Sequence, residues 1–127
     1  MATASVYLRN EIRKHIFRTN SFTKPTTLYV ALLTGVSTEV TGGSYARASV
    51  AVGDATWTGT SDGETSNASD ITFTTASADW GMITHVGLYD AASGGNQLFI
   101  MQLSASISVL NGDTAKFVAG ALQFSVG

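Results

Sequence analysis

Cysteine is absent from the 127-residue chain, and proline occurs once. Without cysteine there is no disulfide framework, and nothing points to an oxidising compartment. Charge is scarce as well: Asp, Glu, Lys and Arg make up 13% of residues, about half the roughly 25% of an average soluble domain. That shortage does not mean disorder. Hydrophobic residues reach 44% and the net charge is only −2, whereas disordered chains pair low hydrophobicity with high net charge. No apolar run approaches the ~18 residues of a membrane span. Arg9, Glu11, Arg13 and Lys14 also break up any secretion-signal core near the start. What is abundant is Gly, with 13 residues, and Ser and Thr, with 31 together. With no repeat or linker in view, residues 1–127 read as one domain around one core, its surface polar mostly without charge.

The few charges are segregated. Residues 1–24 hold Arg9, Arg13, Lys14, Arg18 and Lys24 against Glu11, a local balance of +4, and the remainder carries −6. Such a dipolar chain suits an acidic partner or head-to-tail contact with itself. Nucleic acid is the weaker reading, because the basic patch is small and no basic–aromatic interleaving extends it. A plain solvated helix face is the alternative.

One stretch, about 5–18, reads as helix. Leu8, Ile12 and Ile16 recur on one stripe, widened by Val6 or Tyr7, with Arg9, Arg13 and Lys14 away from it. Ser5 or Thr3 suits the N-cap, Arg18 the negative pole of the dipole, and Asn20 the stop. Beyond Pro25 the pattern turns to strands: 27–34, apolar on both sides, then 45–52, 55–58, 71–75, 83–90, 97–108, 114–118 and 121–126. Asn111-Gly112-Asp113 reads as a hairpin turn, and 35–44 and 59–69 as surface loops. The expected fold class is mainly β: a single β-sandwich, jelly-roll-like, with one N-terminal α-helix.

Catalytic chemistry finds little to stand on. His15 and His85 lie in the helix and a strand; His85 reads as a core or edge histidine. The acids are scattered singly through turns. Asp62, Glu64, Ser66, Asn67 and Asp70 supply oxygens that calcium accepts, but at spacings unlike the twelve-residue loop and equally suited to plain turns. Asn67-Ala68-Ser69 has the form of a glycosylation sequon, without meaning where no signal peptide is present. Trp57 and Trp80 are the residues that would stack on sugars in a binding module; core or interface packing is the plainer role. No cofactor or metal is expected.

The longer pattern is more specific. Ile16-Phe17-Arg18 is followed by the 27–32 strand, and then by Glu39, Gly42-Gly43-Ser44-Tyr45 and Arg47. Thr65-Ser66-Asn67, Asp79-Trp80-Gly81, the 83–91 segment, Asn111-Gly112-Asp113 and Gly120 complete it. Across essentially its whole length the chain resembles a family of small bacteriophage virion proteins. These are tail-fibre or tail-fibre-like proteins that include capsid cement or decoration proteins. It departs from their longer, Pro-containing loop at 35–38. The resemblance implies a non-enzymatic structural protein of the virion, assembled in the bacterial host cytoplasm. With neither the length nor the repeats of a shaft, a cement or decoration protein bridging major capsid proteins is the first expectation. A tail-fibre adaptor or short tail appendage is the alternative, and a carbohydrate-binding module the second. Expected partners are the major capsid protein or other virion proteins and further copies in a homo-oligomer, with no nucleic acid and no membrane. The helix face Arg9, Arg13, Lys14 and Arg18 is expected to dock on an acidic capsid surface. The loops at 35–44 and 59–69, together with Glu39, Tyr45, Arg47, Asp62 and Glu64, are expected to touch a neighbouring copy. Arg47, with few acids in range, is expected to pair with Asp79 or Asp90. Trp80-Gly81 is expected to mark a turn with the indole folded inward.

Overall fold

Thr27 to Thr34 supply apolar side chains to both faces of a strand, and that strand lies near the centre of the architecture. The computed structural model describes residues 2–59 and 63–125. In chain order these form β1 (Ala2–Ala4), α1 (Val6–Phe17), β2 (Thr27–Leu33), β3 (Ala48–Ala51), β4 (Trp57–Gly59) and β5 (Glu64–Asn67). They continue through β6 (Ile71–Thr75), β7 (Gly81–Tyr89), β8 (Gln97–Val109), β9 (Thr114–Phe117) and β10 (Gln123–Ser125). The fold is mainly β, a sandwich with one N-terminal helix. Its large sheet runs β3-β2-β7-β8-β1-β10-β5-β4, and its small one is the β6-β9 ribbon. All pairings are antiparallel except β1 with β10.

Burial follows from the side-chain pattern. In β2 the last four residues are all buried, as a doubly covered strand requires. In β6, Ile71 and Phe73 point inward while Thr72 and Thr74 face solvent. The main core lies between the sheets, where Val30, Leu32, Val86 and Leu88 meet Ile71, Phe73 and Phe117. A second, smaller cluster of Ala4, Leu8 and Leu98 lies beneath the helix, bordered by Ile12, Phe22 and Leu28.

The structure departs from the sequence reading in several places. The loop read at 59–69 contains β5, which pairs with β4 and β10. Its side chains are polar, but Thr58 and Ser66 bond each other across the strands at 2.7 Å, and Thr65 bonds the Thr58 carbonyl. The strand read at 45–52 shrinks to β3, because Tyr45 and Arg47 are engaged elsewhere. Asn111 and Gly112 do form a turn, with Asp113 N–H bonded to the Leu110 carbonyl. That turn joins strands of different sheets and is not a hairpin. The expected strand at 121–126 is the shorter β10, and Val126 lies outside the described residues. The helical stripe is only half used: Leu8 is buried and Ile12 partly so, but Ile16 is 65% exposed. The helix rests on the start of β8 by its first turns alone, and the apolar surface beneath it ends there.

In the large sheet, β1 is the strand that links β3-β2-β7-β8 to β10-β5-β4. Thr3 pairs with Ile100 on one side and Ser125 on the other. The helix begins directly after this strand, so its position is set by the middle of the sheet.

Candidate functional site

Two clusters collect most of the residues singled out by the sequence. The first is the outer face of α1. Ser5 caps the helix, its Oγ accepting from Leu8 N–H at 3.1 Å, a cap of a kind that contributes about 1 kcal/mol. Lys14 and His15 stand in the last turn, where the dipole favours positive charge. His15 Nδ1 accepts the Phe22 N–H at 3.1 Å and so folds the following segment back. Lys14 pairs with Glu11 at 3.3 Å, one helical turn away. Arg13, Arg18 and Lys24 make no ion pair among the described residues, and the Arg9 guanidinium reaches only the Ser5 carbonyl at 3.4 Å. Beside these cations, Ile16 and Phe17 are 65% and 78% exposed. Arg13 and Phe17, four residues apart, share one face.

The second cluster centres on Arg47. Its side chain is 5% exposed. It forms a fork on Glu39, Nε to Oε2 and Nη2 to Oε1, both at 2.8 Å. Nη1 donates to the carbonyls of Ala91 at 2.7 Å and Gly94 at 2.9 Å. The guanidinium also lies 3.9 Å from the centre of the Tyr89 ring. Gly87 makes room for that ring, since a Cβ there would stand 2.7 Å from Tyr89 Cε1. Tyr45 Oη donates to Glu39 Oε2 at 2.6 Å and accepts from Leu32 N–H at 3.0 Å. The Tyr45 ring meets Trp80 edge-on at 5.3 Å, and Trp80 Nε1 donates to the Gly43 carbonyl at 2.9 Å. Gly43 has φ +58, and a Cβ on it would come within 2.9 Å of the indole nitrogen. The cluster is thus a clasp tying the 35–47 segment to the 90–96 loop and to β2.

The expected pairing of Arg47 with Asp79 or Asp90 is therefore corrected to Glu39. The turn at Gly42 and Gly43 brings Glu39 back beside Arg47. Asp79 accepts from Asn111 N–H and Asp90 from Asn96 N–H, each holding its own turn.

The clasp also sets charge states. Burial pushes the Glu39 carboxyl up, but hydrogen bonds from Arg47 and Tyr45 and the charge of Arg47 outweigh it, leaving Glu39 below the usual carboxylate range. Burial first, and then the bond to Glu39, pushes the Tyr45 phenol well above its ordinary value. A carboxyl with a lowered folded pKa adds stability that is fully present above its unfolded value, near 4.3 for Glu. That contribution fades as pH falls through the folded value. Unfolding at descending pH should show a loss of stability below about pH 4 that is smaller in Glu39→Gln; identical acid profiles would exclude the clasp as its source.

The remaining candidates are dispersed. Glu64 lies in β5 opposite Ser125, half-buried, and Asp62 lies outside the described residues. Asn67 is not available to a cation. It is buried, its Nδ2 donating to the Ser69 and Val118 carbonyls and its Oδ1 accepting from Leu122 N–H. Asp70 accepts from Ala119 N–H and pairs with Lys116 at 3.7 Å. Among the described residues no His, Cys, Asp and Glu side chains group as a metal site, and no helix is long and apolar enough to cross a membrane. Trp80 is folded inward, as expected, and offers no sugar platform; Trp57 is half-buried, edge-on to Phe124. The Trp57 indole N–H is buried without a hydrogen-bond partner among the described residues. Sequence reasoning missed Asn67 as a hub, and the one available signal was an asparagine beside Gly-poor, polar strand residues.

The family model for Gp80, described as podophage GP4 fiber I protein gp80, matches residues 3–125. No curated protein matches the chain.

Proposed function

We propose a docking role for this chain, which belongs to the Gp80 family of podophage fibre proteins. It is a phage virion protein of the fibre type, and its work is structural. In our reading it is an adaptor of the tail-fibre apparatus, attached to a neighbouring virion protein through the outer face of α1. One observation carries this reading: the distribution of unsatisfied charge. Glu11, Glu39 and Asp70 are ion-paired within the chain, whereas Asp79, Asp90 and Asp113 accept neutral N–H groups and keep their charge at other turns. Arg13, Arg18 and Lys24 are not ion-paired among the described residues, and the two arginines flank the exposed Ile16 and Phe17 along the chain. An acidic partner surface with an apolar recess would satisfy both features, with the charges steering encounter and the ring supplying buried area.

A second reading, a head cement or decoration protein bridging major capsid proteins, is supported by the absence of any shaft-like repeat. Gold labelling of virions with antibody to this chain separates the two, at the tail fibres or over the head. The docking face is tested by Arg9→Glu with Arg13→Glu. The number of copies incorporated into assembled particles should fall at least tenfold, and binding of the unaltered protein to them should weaken as salt shortens the Debye length to about 10 Å at 0.1 M. Unchanged incorporation of the double variant would remove α1 from the interface.

A further inference from the structure

We propose that the surface fitted by α1 belongs to a second copy of this chain, so that copies join head to tail. This rests on docking through the α1 face and adds the identity of the partner. The donor is the end of the helix, where Phe17 and Ile16 stand exposed between Arg13 and Arg18. The acceptor is at the open end of the sandwich. There β2, β7, β8 and β9 enclose a recess of about 230 Å³ with Leu32, Ile83, Val109 and Phe117 in its walls. Ile107, 39% exposed, stands at its mouth, and the half-exposed Leu110 lies one residue beyond Val109. An apolar cavity of about 150 Å³ already accommodates benzene, so a phenyl ring fits the space.

Charge agrees with shape. The 110–113 turn, which joins two walls of the recess, carries Asp113, and Asp79 is bonded to it through Asn111 N–H. Both aspartates are exposed. Lys116 on the rim is paired with Asp70, so the excess of charge there is negative. Arg13 and Arg18 bring the opposite sign.

Within one copy this contact is not made, since Phe17 is 78% exposed. The helix packs on β8 at Leu98, whereas the recess opens at Ile107 and Val109. β7 covers the interval from Phe99 to Ile107 in the five residues from Leu88 to Ile83, roughly 17 Å at about 3.3 Å per residue. Donor and acceptor are different surfaces, so the contact is heterologous and repeats from copy to copy as a ring or an open chain.

Sedimentation of the full chain over a concentration series, at low and high salt, tests this. The unaltered protein should form species that grow with concentration and shrink with salt. Phe17→Asp retains only an intact acceptor and Ile107→Asp only an intact donor, so each alone should be monomeric. Mixed one to one they should form a dimer and nothing larger. Leu110→Asp serves as the acceptor variant should Ile107→Asp fail to fold. An unaltered protein that stays monomeric, association indifferent to Phe17→Asp, or a mixture that stays monomeric would each overturn self-association. If Arg9→Glu with Arg13→Glu still loses incorporation into particles in that event, the docking face survives and its partner is a different virion protein.

Discussion

Arg47→Ala is expected to lower the stability of the protein by about 3 kcal/mol, the low end of the cost of removing one partner from a buried ion pair, because a quarter of the Glu39 side chain stays exposed. The argument is one of groups left behind. Without the guanidinium, the Glu39 carboxylate keeps only the Tyr45 hydroxyl, and the Ala91 and Gly94 carbonyls lose their donor. In a domain with of order 5–15 kcal/mol in total, this is a large share. Arg47→Lys should recover less than half of the loss, because an ammonium cannot form the fork on Glu39 and reach two carbonyls at once. Removing both charges together, as Arg47→Met with Glu39→Gln, should be milder than Arg47→Ala, since no carboxylate is then stranded. Denaturant unfolding of the set measures each value. A loss below about 1 kcal/mol for Arg47→Ala would place the clasp among ordinary surface pairs.

Asn67→Ala should cost about 3 kcal/mol or more, for a related reason in a neutral setting. Asn67 is 2% exposed, and its amide holds three backbone groups at 2.9 to 3.0 Å. Its own backbone is bonded to Gly120 and Leu122 as well. The segment so fastened leads directly into β10. Asn67→Asp should be at least as damaging at neutral pH, because a carboxylate accepts only and would face two carbonyls. Protonation restores one donor, so this variant alone should gain ground on acidification relative to the unaltered protein. Thermal or denaturant unfolding at two pH values decides it, and losses below 1 kcal/mol for both variants would show that water replaces the amide.

The contrast between these residues and the strands explains how much was legible beforehand. β6 was readable to the residue because Ile71 and Phe73 alternate with threonines, and β2 because its apolar run needs cover on both faces. The helix was readable from Leu8, Ile12 and its cap, although Ile16 fitted the stripe without being buried. β1 and β5 were not legible: Ala-Thr-Ala and Glu-Thr-Ser-Asn have no apolar period, and neighbouring strands make them strands. The clasp was half legible. Arg47, Tyr45 and Glu39 were all marked, but the carboxylate chosen for Arg47 depends on a backbone reversal, and scarcity of acids pointed to the wrong ones. Asn67 carries no periodic signal at all.

The place of β1 has a consequence in time. Ala2 pairs with Phe124 and Thr3 with Ser125, so a strand from the beginning of the sequence waits for one from its end. Translation delivers about 5–20 residues per second, N-terminal side first, and such long-range pairings are slow to form. A nascent chain can close β7 on β8 well before β10 has emerged, but β1 gains its second neighbour only afterwards. The helix is fastened to β1. A chain released before β10 is made would therefore carry its basic segment on a strand held by β8 alone.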